Sequence, residues 1–146
     1  MTEQEQRAAV VTEALTWLGT PYHNHARIKG VGVDCANLPA AVYHAAGLIP
    51  DLKPEYAAQW YMHRDEELYL DWVKPYAREI QAAEAGPGDF VIWKFGRTFS
   101  HGAIILAPPQ IIHASLAGGC AHLADMERDD DLAVRPRRFF TLWGTA

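Results

Sequence analysis

The spacing of apolar residues changes character once along this 146-residue chain, and the change falls at Gly86-Pro87-Gly88. Before it the spacing is helical; after it come short β-type runs. Val10, Val11, Ala14, Leu15 and Leu18 define a first helix over about Glu3 to Leu18, ended by Gly19 and Pro21. Tyr22 to Val33 has no period and reads as an ordered loop rich in His, Asn and Gly. A second helix is expected from Cys35 to about Ala46, with Asp34 as N-cap, Gly47 as stop and Pro50 beyond. Pro54 to Ile80 is again helical in pattern, interrupted by Pro75, and its aromatic surface of Trp60, Tyr61, Tyr69 and Trp72 is placed to cover a groove. Strands are expected at Phe90 to Phe95, His101 to Ala107 and Gln110 to Ser115, with weaker ones from Cys120 and from Leu132. Helices first and strands last predict an α+β fold with an antiparallel sheet in the C-terminal half.

The length suits one domain over residues 1–146, large enough to bury a core that holds a rigid site. A net charge of −5 opposes polyanions, so nucleic acid is not an expected partner. No apolar run reaches the roughly 18 to 20 residues that span a bilayer, so no membrane insertion is expected. The first residues, Met-Thr-Glu-Gln-Glu-Gln-Arg, lack the basic start and apolar stretch of a secretory signal. The expectation is synthesis in the cytoplasm, with delivery to any external target by another agent. Two cysteines, Cys35 and Cys120, give no disulfide framework and leave a reactive thiol as the more informative reading.

Cys35 is the candidate nucleophile. A thiol attacks as thiolate, and the positive end of a helix favours that anion by roughly 0.3 to 1 kcal/mol when exposed. Asp34 would oppose it by like charge, unless capping turns its carboxylate onto the N–H groups of residues 36 and 37 and away from the sulfur. The rest of the activation is expected from an imidazolium paired with the thiolate. His101 and His113 stand on consecutive β-runs joined by a turn containing Pro108-Pro109, so antiparallel pairing brings them within direct or diagonal reach. His101 can then act as base while His113 orients it. The Cys35 N–H and the Tyr22 hydroxyl are candidate oxyanion or substrate contacts.

Gly19-Thr20-Pro21-Tyr22, Gly32-Val33-Asp34-Cys35, Pro87-Gly88-Asp89-Phe90, Ser100-His101-Gly102-Ala103 and Ile112-His113-Ala114 together resemble, in order and spacing, the NlpC family of cell-wall cysteine peptidases. The Lys29 to Cys35 lead-in is most similar to the phage and prophage tail-associated branch. The resemblance implies a papain-like fold and hydrolysis of amide bonds in peptidoglycan stem peptides, commonly between D-glutamate and diaminopimelate. It implies no cofactor. By position it makes Cys35 nucleophile, His101 base, His113 third polar residue and Tyr22 an oxyanion or substrate contact. Where the family often has Ser-Gly after the cysteine this chain has Ala36-Asn37, and Pro39 follows close behind.

Those two departures motivate an alternative: a phage tail assembly or interaction module that keeps the fold with little hydrolysis. A third reading keeps the thiol chemistry but acts on lipid or other amides, which an apolar groove would favour. Cys120 reads as a small core residue, and Trp60, Tyr61, Tyr69 and Trp72 as core or groove wall. His23 and His25 lack the further ligands zinc needs, so no metal is expected. His44 and His63 read as partly exposed helical residues, and Glu127 to Asp131 as a solvated turn. Arg27, Lys29, Arg64 and Arg97 are candidate carboxylate contacts that mostly read as surface charge.

Overall fold

The computed structural model describes residues 1–53 and 68–144. Helix α1 (Glu3–Leu15) starts at Thr2, whose hydroxyl accepts from the Glu5 N–H at 3.1 Å, and Glu3 and Glu5 lie in the first turn where negative charge is favoured. It ends at Leu15, short of Leu18: Trp17 N–H already bonds back only three residues, to Ala14 C=O, before Gly19 turns at φ +82°.

The segment read as a loop holds a small antiparallel hairpin, β1 (Arg27–Ile28) with β2 (Gly32–Val33). Val33 N–H donates to Pro21 C=O and His23 N–H to Val33 C=O, both at 3.0 Å, so the backbone just before Cys35 is fastened to that of Tyr22. Helix α2 (Asn37–Ala45) starts two residues later than expected, leaving Cys35 in the turn that leads into it.

Helix α3 (Leu68–Val73) ends before Pro75, and Arg78–Ile80, expected as helix, is strand β3. Beyond the proline the chain finds its hydrogen bonds across β8 instead, with Arg78 opposite Thr141 and Ile80 opposite Phe139. Tyr69 is buried, as core or groove wall should be, while Trp60, Tyr61, His63 and Arg64 lie outside the described residues.

The other strands are β4 (Phe90–Phe95), β5 (Thr98–Ile105), β6 (Gln110–Ser115), β7 (Cys120–Asp125) and β8 (Arg137–Thr141). They form a six-stranded antiparallel sheet in the order β3-β8-β4-β5-β6-β7, which bears out the α+β reading. The last strand begins at Arg137, not near Leu132. Asp129 Oδ1 caps the preceding turn by accepting from the Asp131 and Leu132 N–H groups, and Arg137 donates to the carbonyls of Met126, Leu132 and Ala133.

Both faces of the sheet are covered, which is why β4, β5 and β6 read as continuous apolar runs. One face, with Ile92, Ile104, Ile112 and Phe140, packs on Val10 and Ala14 of α1 and Leu38 and Val42 of α2. The opposite face, with Val91, Trp93, Ala103, Ile105 and Ile111, is closed by Met126 and Leu132. The buried Asp89 of the Pro87-Gly88-Asp89-Phe90 motif pairs with Arg7 at 3.0 Å and so fastens α1 to the start of β4. No helix among the described residues is long and apolar enough to cross a membrane.

Candidate active site

Asp34 caps as expected. Its Oδ1 accepts from the N–H groups of Ala36 and Asn37 at 3.2 and 2.8 Å, and its Oδ2 from the His25 N–H at 2.6 Å. His25 reaches it from a positive φ of 65°, a conformation few side chains adopt. Asn37 turns inward, donating from Nδ2 to Asp34 Oδ1 at 3.0 Å, so it reinforces the cap rather than obstructing the substrate side. Cys35 is half-buried, with its thiol donating to the Ser100 carbonyl at 3.6 Å.

That carbonyl is aimed by a bulge. His101 opposes Trp93, but Phe99 opposes Lys94, so Ser100 is the extra residue on β5. The β5–β6 register pairs Ile104 with Ile112 and Ile105 with Ile111, which places His113 opposite Ala103 and diagonal to His101 on one face. His101 Nε2 and His113 Nδ1 are 2.7 Å apart, with the rings nearly perpendicular at 77°. His101 also packs between Trp93 and Phe95, at 5.9 and 5.3 Å between ring centroids.

The electrostatics correct two expectations. Burial pushes the Cys35 thiol up to about 12, and the Asp34 charge adds to the rise despite the cap; the Tyr22 hydroxyl and the N–H groups of Cys35 and Ala36 oppose it. A cap neutralises helix N–H dipoles, but its carboxylate keeps a full charge next to the sulfur. Burial also holds His101 well below the ordinary imidazole range, with the charges of His113, Arg135 and His122 acting in the same direction. His113 falls to about 4 through burial and His122, with Asp129 opposing. Both shifts favour the neutral thiol and the neutral imidazole, the direction opposite to the ion pair expected from the sequence.

Tyr22, Cys35, Ser100, His101, His113 and Ser115 line one cavity of about 510 Å³. Burial and the nearby Cys35 and Asp34 raise the Tyr22 phenol, which keeps it a donor. His122 was not singled out in the sequence, yet it lies directly opposite His113, with ring centroids 4.5 Å apart and Nε2 2.8 Å from Ser115 Oγ. Counting back from the Gly118-Gly119 turn would have found it. Asp129, read as part of a solvated turn, also borders the cavity.

The remaining candidates fall elsewhere. Cys120 is half-buried at the start of edge strand β7, not a core residue, because the chain leaves its turn there. His23, His25 and His44 are exposed, and among the described residues no group of three or more His, Cys, Asp or Glu is arranged to hold a metal. Arg27 pairs with Asp51 at 3.2 Å and Lys29 with Glu13 at 2.9 Å, as ordinary charge pairs outside the cavity lining.

A cysteine at the entry to a helix, lining one cavity with an imidazole pair on an antiparallel sheet, is the layout of the papain-like class. The sequence profile of the NlpC/P60 family matches residues 19–129, and the chain belongs to that family. The NlpC/p60 domain of the peptidoglycan hydrolase SagA is similar in structure at 22% identity, with TM-score 0.63 over 90% of this chain and 96% of that one. NlpC1 from Trichomonas vaginalis is similar at 17% identity, TM-score 0.71, over 99% of this chain but only 46% of its own. RipD from Mycobacterium tuberculosis, described as a non-catalytic domain adapted to peptidoglycan binding, is similar at 15% identity, TM-score 0.60, over 94% of this chain and 98% of that one. Comparison with curated proteins found no match.

Proposed function

We propose that this chain is a cysteine peptidase that hydrolyses amide bonds of peptidoglycan stem peptides, with Cys35 as nucleophile, His101 as base and His113 as the residue that orients it. The observation that carries the reading is the hydrogen-bonded His101–His113 pair lining the same cavity as Cys35. With Nε2 of His101 engaged by His113, Nδ1 is left to take the thiol proton. Because thiol and imidazole rest neutral, that transfer accompanies attack of sulfur on the amide carbon. In this reading the Cys35 N–H and the Tyr22 O–H receive the oxyanion. Collapse expels the amine, which takes the proton from His101 and leaves an acyl-thioester; water then adds, returns a proton through His101, and releases the acid and the thiol.

Within this reading the scissile bond is that between D-glutamate and diaminopimelate, and the Lys29 to Cys35 lead-in favours a phage tail setting with tail proteins as partners. The test is muropeptide cleavage by the purified chain. Cys35→Ala should abolish it and His101→Ala should reduce it by about 100-fold or more; cleavage that survives Cys35→Ala would end the proposal. A second reading, wall-peptide binding or tail assembly without hydrolysis, draws on the thiol held near 12. The inward turn of Asn37 removes one of the two residues that motivated it. Muropeptide binding with no cleavage by the unmodified chain would establish it.

A further inference from the structure

We infer that Tyr69 is a positioning residue for Cys35, its hydroxyl supplying the hydrogen bond that Pro39 denies to the Cys35 carbonyl. At the entry to α2, Leu38 N–H bonds to Asp34 C=O at 3.0 Å and Ala40 N–H to Ala36 C=O at 3.4 Å. The bond between these two would run from residue 39 to Cys35, and proline has no N–H to donate. Tyr69 Oη donates to the Cys35 carbonyl instead, at 2.9 Å, from a helix 34 residues further along the chain.

The hydroxyl is held in place by its ring. Tyr69 is 3% exposed, stacks on Phe90 with centroids 5.7 Å apart and leans on Trp72 at 5.6 Å. Strand β5 makes room for it: a Cβ at Gly102, next to the candidate base His101, would collide with the Tyr69 hydroxyl and come within 2.7 Å of Phe90. One side chain thus abuts both the nucleophile's peptide and the strand that carries the base. A small cavity of about 60 Å³, bounded by Ala36, Pro39, Tyr43, Tyr69 and Trp72, adjoins this contact and is almost wholly apolar. Water there would lack polar partners, so it is a poor substitute for the phenol. Without the phenol the Cys35–Ala36 peptide must turn to find a donor, and the Ala36 N–H that helps stabilise charge on the sulfur turns with it.

The inference rests on Cys35 being the reactive thiol, and its test does not require hydrolysis. Iodoacetamide labelling of Cys35, with Cys120 as internal reference, is followed across roughly pH 6 to 10 in the unmodified chain, Tyr69→Phe, Pro39→Ala and the double variant. Muropeptide kcat and KM are measured alongside. Tyr69→Phe should slow Cys35 labelling and kcat by about 5- to 10-fold with KM within about twofold, the scale of one lost hydrogen bond to a buried carbonyl. Pro39→Ala returns an N–H at residue 39, so the double variant should recover to within about twofold of Pro39→Ala alone. Unchanged labelling in Tyr69→Phe, or a double variant as slow as Tyr69→Phe, would overturn the inference. Should Tyr69→Phe fail to fold, folding and normal labelling of the double variant would support it, and failure of both would overturn it. Rescue of labelling with no cleavage by any variant would leave the role of Tyr69 standing and end the hydrolase reading. Cleavage that Tyr69→Phe leaves unchanged would do the reverse.

Discussion

Two sets of influences act on the Cys35 thiol in opposite directions. Burial and then Asp34 disfavour the thiolate strongly enough to hold the thiol near 12, against the Tyr22 hydroxyl and the N–H groups of Cys35 and Ala36, which favour it. Alkylation of Cys35 is therefore expected to be slow at neutral pH and still rising at roughly pH 9 to 10, beyond the midpoint near 8.5 of an ordinary thiol. A plateau below about pH 8 would refute the neutral resting pair. Asp34→Asn separates the two effects of that residue. Asparagine keeps an acceptor for the Ala36 and Asn37 N–H groups but removes the like charge, so the thiol pKa should fall and labelling near roughly pH 8 should rise by about 3- to 10-fold. Folding stability should drop by about 1 to 2 kcal/mol, because hydrogen bonds to a buried carboxylate are stronger than those to an amide. Equal labelling rates in the two proteins would mean that the charge does not reach the sulfur.

At the scale of elements, the close approach of α3 to β5 gives Gly102 a purely steric role. Gly102→Ala places a methyl group against the Tyr69 hydroxyl and Phe90, both buried. The cost should be about 1 to 3 kcal/mol, read as a melting temperature lower by several degrees; an unchanged melting temperature would show that α3 yields freely. Elements of this kind differ in how legible they are in the sequence. Strands β4 and β6 were readable to the residue because they are buried on both faces and bounded by turn residues. The meeting of His101 and His113 was readable as diagonal neighbours across one short turn, although the register itself, with Ile104 opposite Ile112, is seen only in the folded sheet. Strand β3 was not: three residues carry no period, and the pairing that makes them a strand lies some 60 residues away on β8. Tyr69 was legible only as an aromatic for the core, since the need it meets is a missing N–H at Pro39. The electrostatic error has the same origin. Cap chemistry is local and visible in sequence, whereas burial of the thiol is a property of the folded chain.

For the molecule as a whole, keeping two imidazoles neutral inside the fold links stability to pH. In the unfolded chain each would protonate near 6.5, while folded His113 waits until about 4 and His101 is lower than its ordinary value as well. Between those limits the unfolded chain binds more protons, so this contribution is whole above about pH 6.5 and is lost as pH falls toward 4. His122 and Arg135 face the pair and deepen the shift, and Asp129 opposes it at His113. The urea midpoint should therefore fall steadily from roughly pH 7 to 5, and the fall should be much reduced in the His101→Gln/His113→Gln variant. A midpoint that is flat to roughly pH 5 in the unmodified chain would remove the linkage. The same linkage fixes the acid limit of any catalysis. A base that stays neutral well below pH 6.5 does not shut the reaction off by protonation near neutrality, so the acid limb of kcat should track loss of the folded state rather than titration of His101. Measured side by side, coincident limbs would place that limit in the fold, and an acid limb of kcat near pH 6.5 in fully folded protein would place it back on the base.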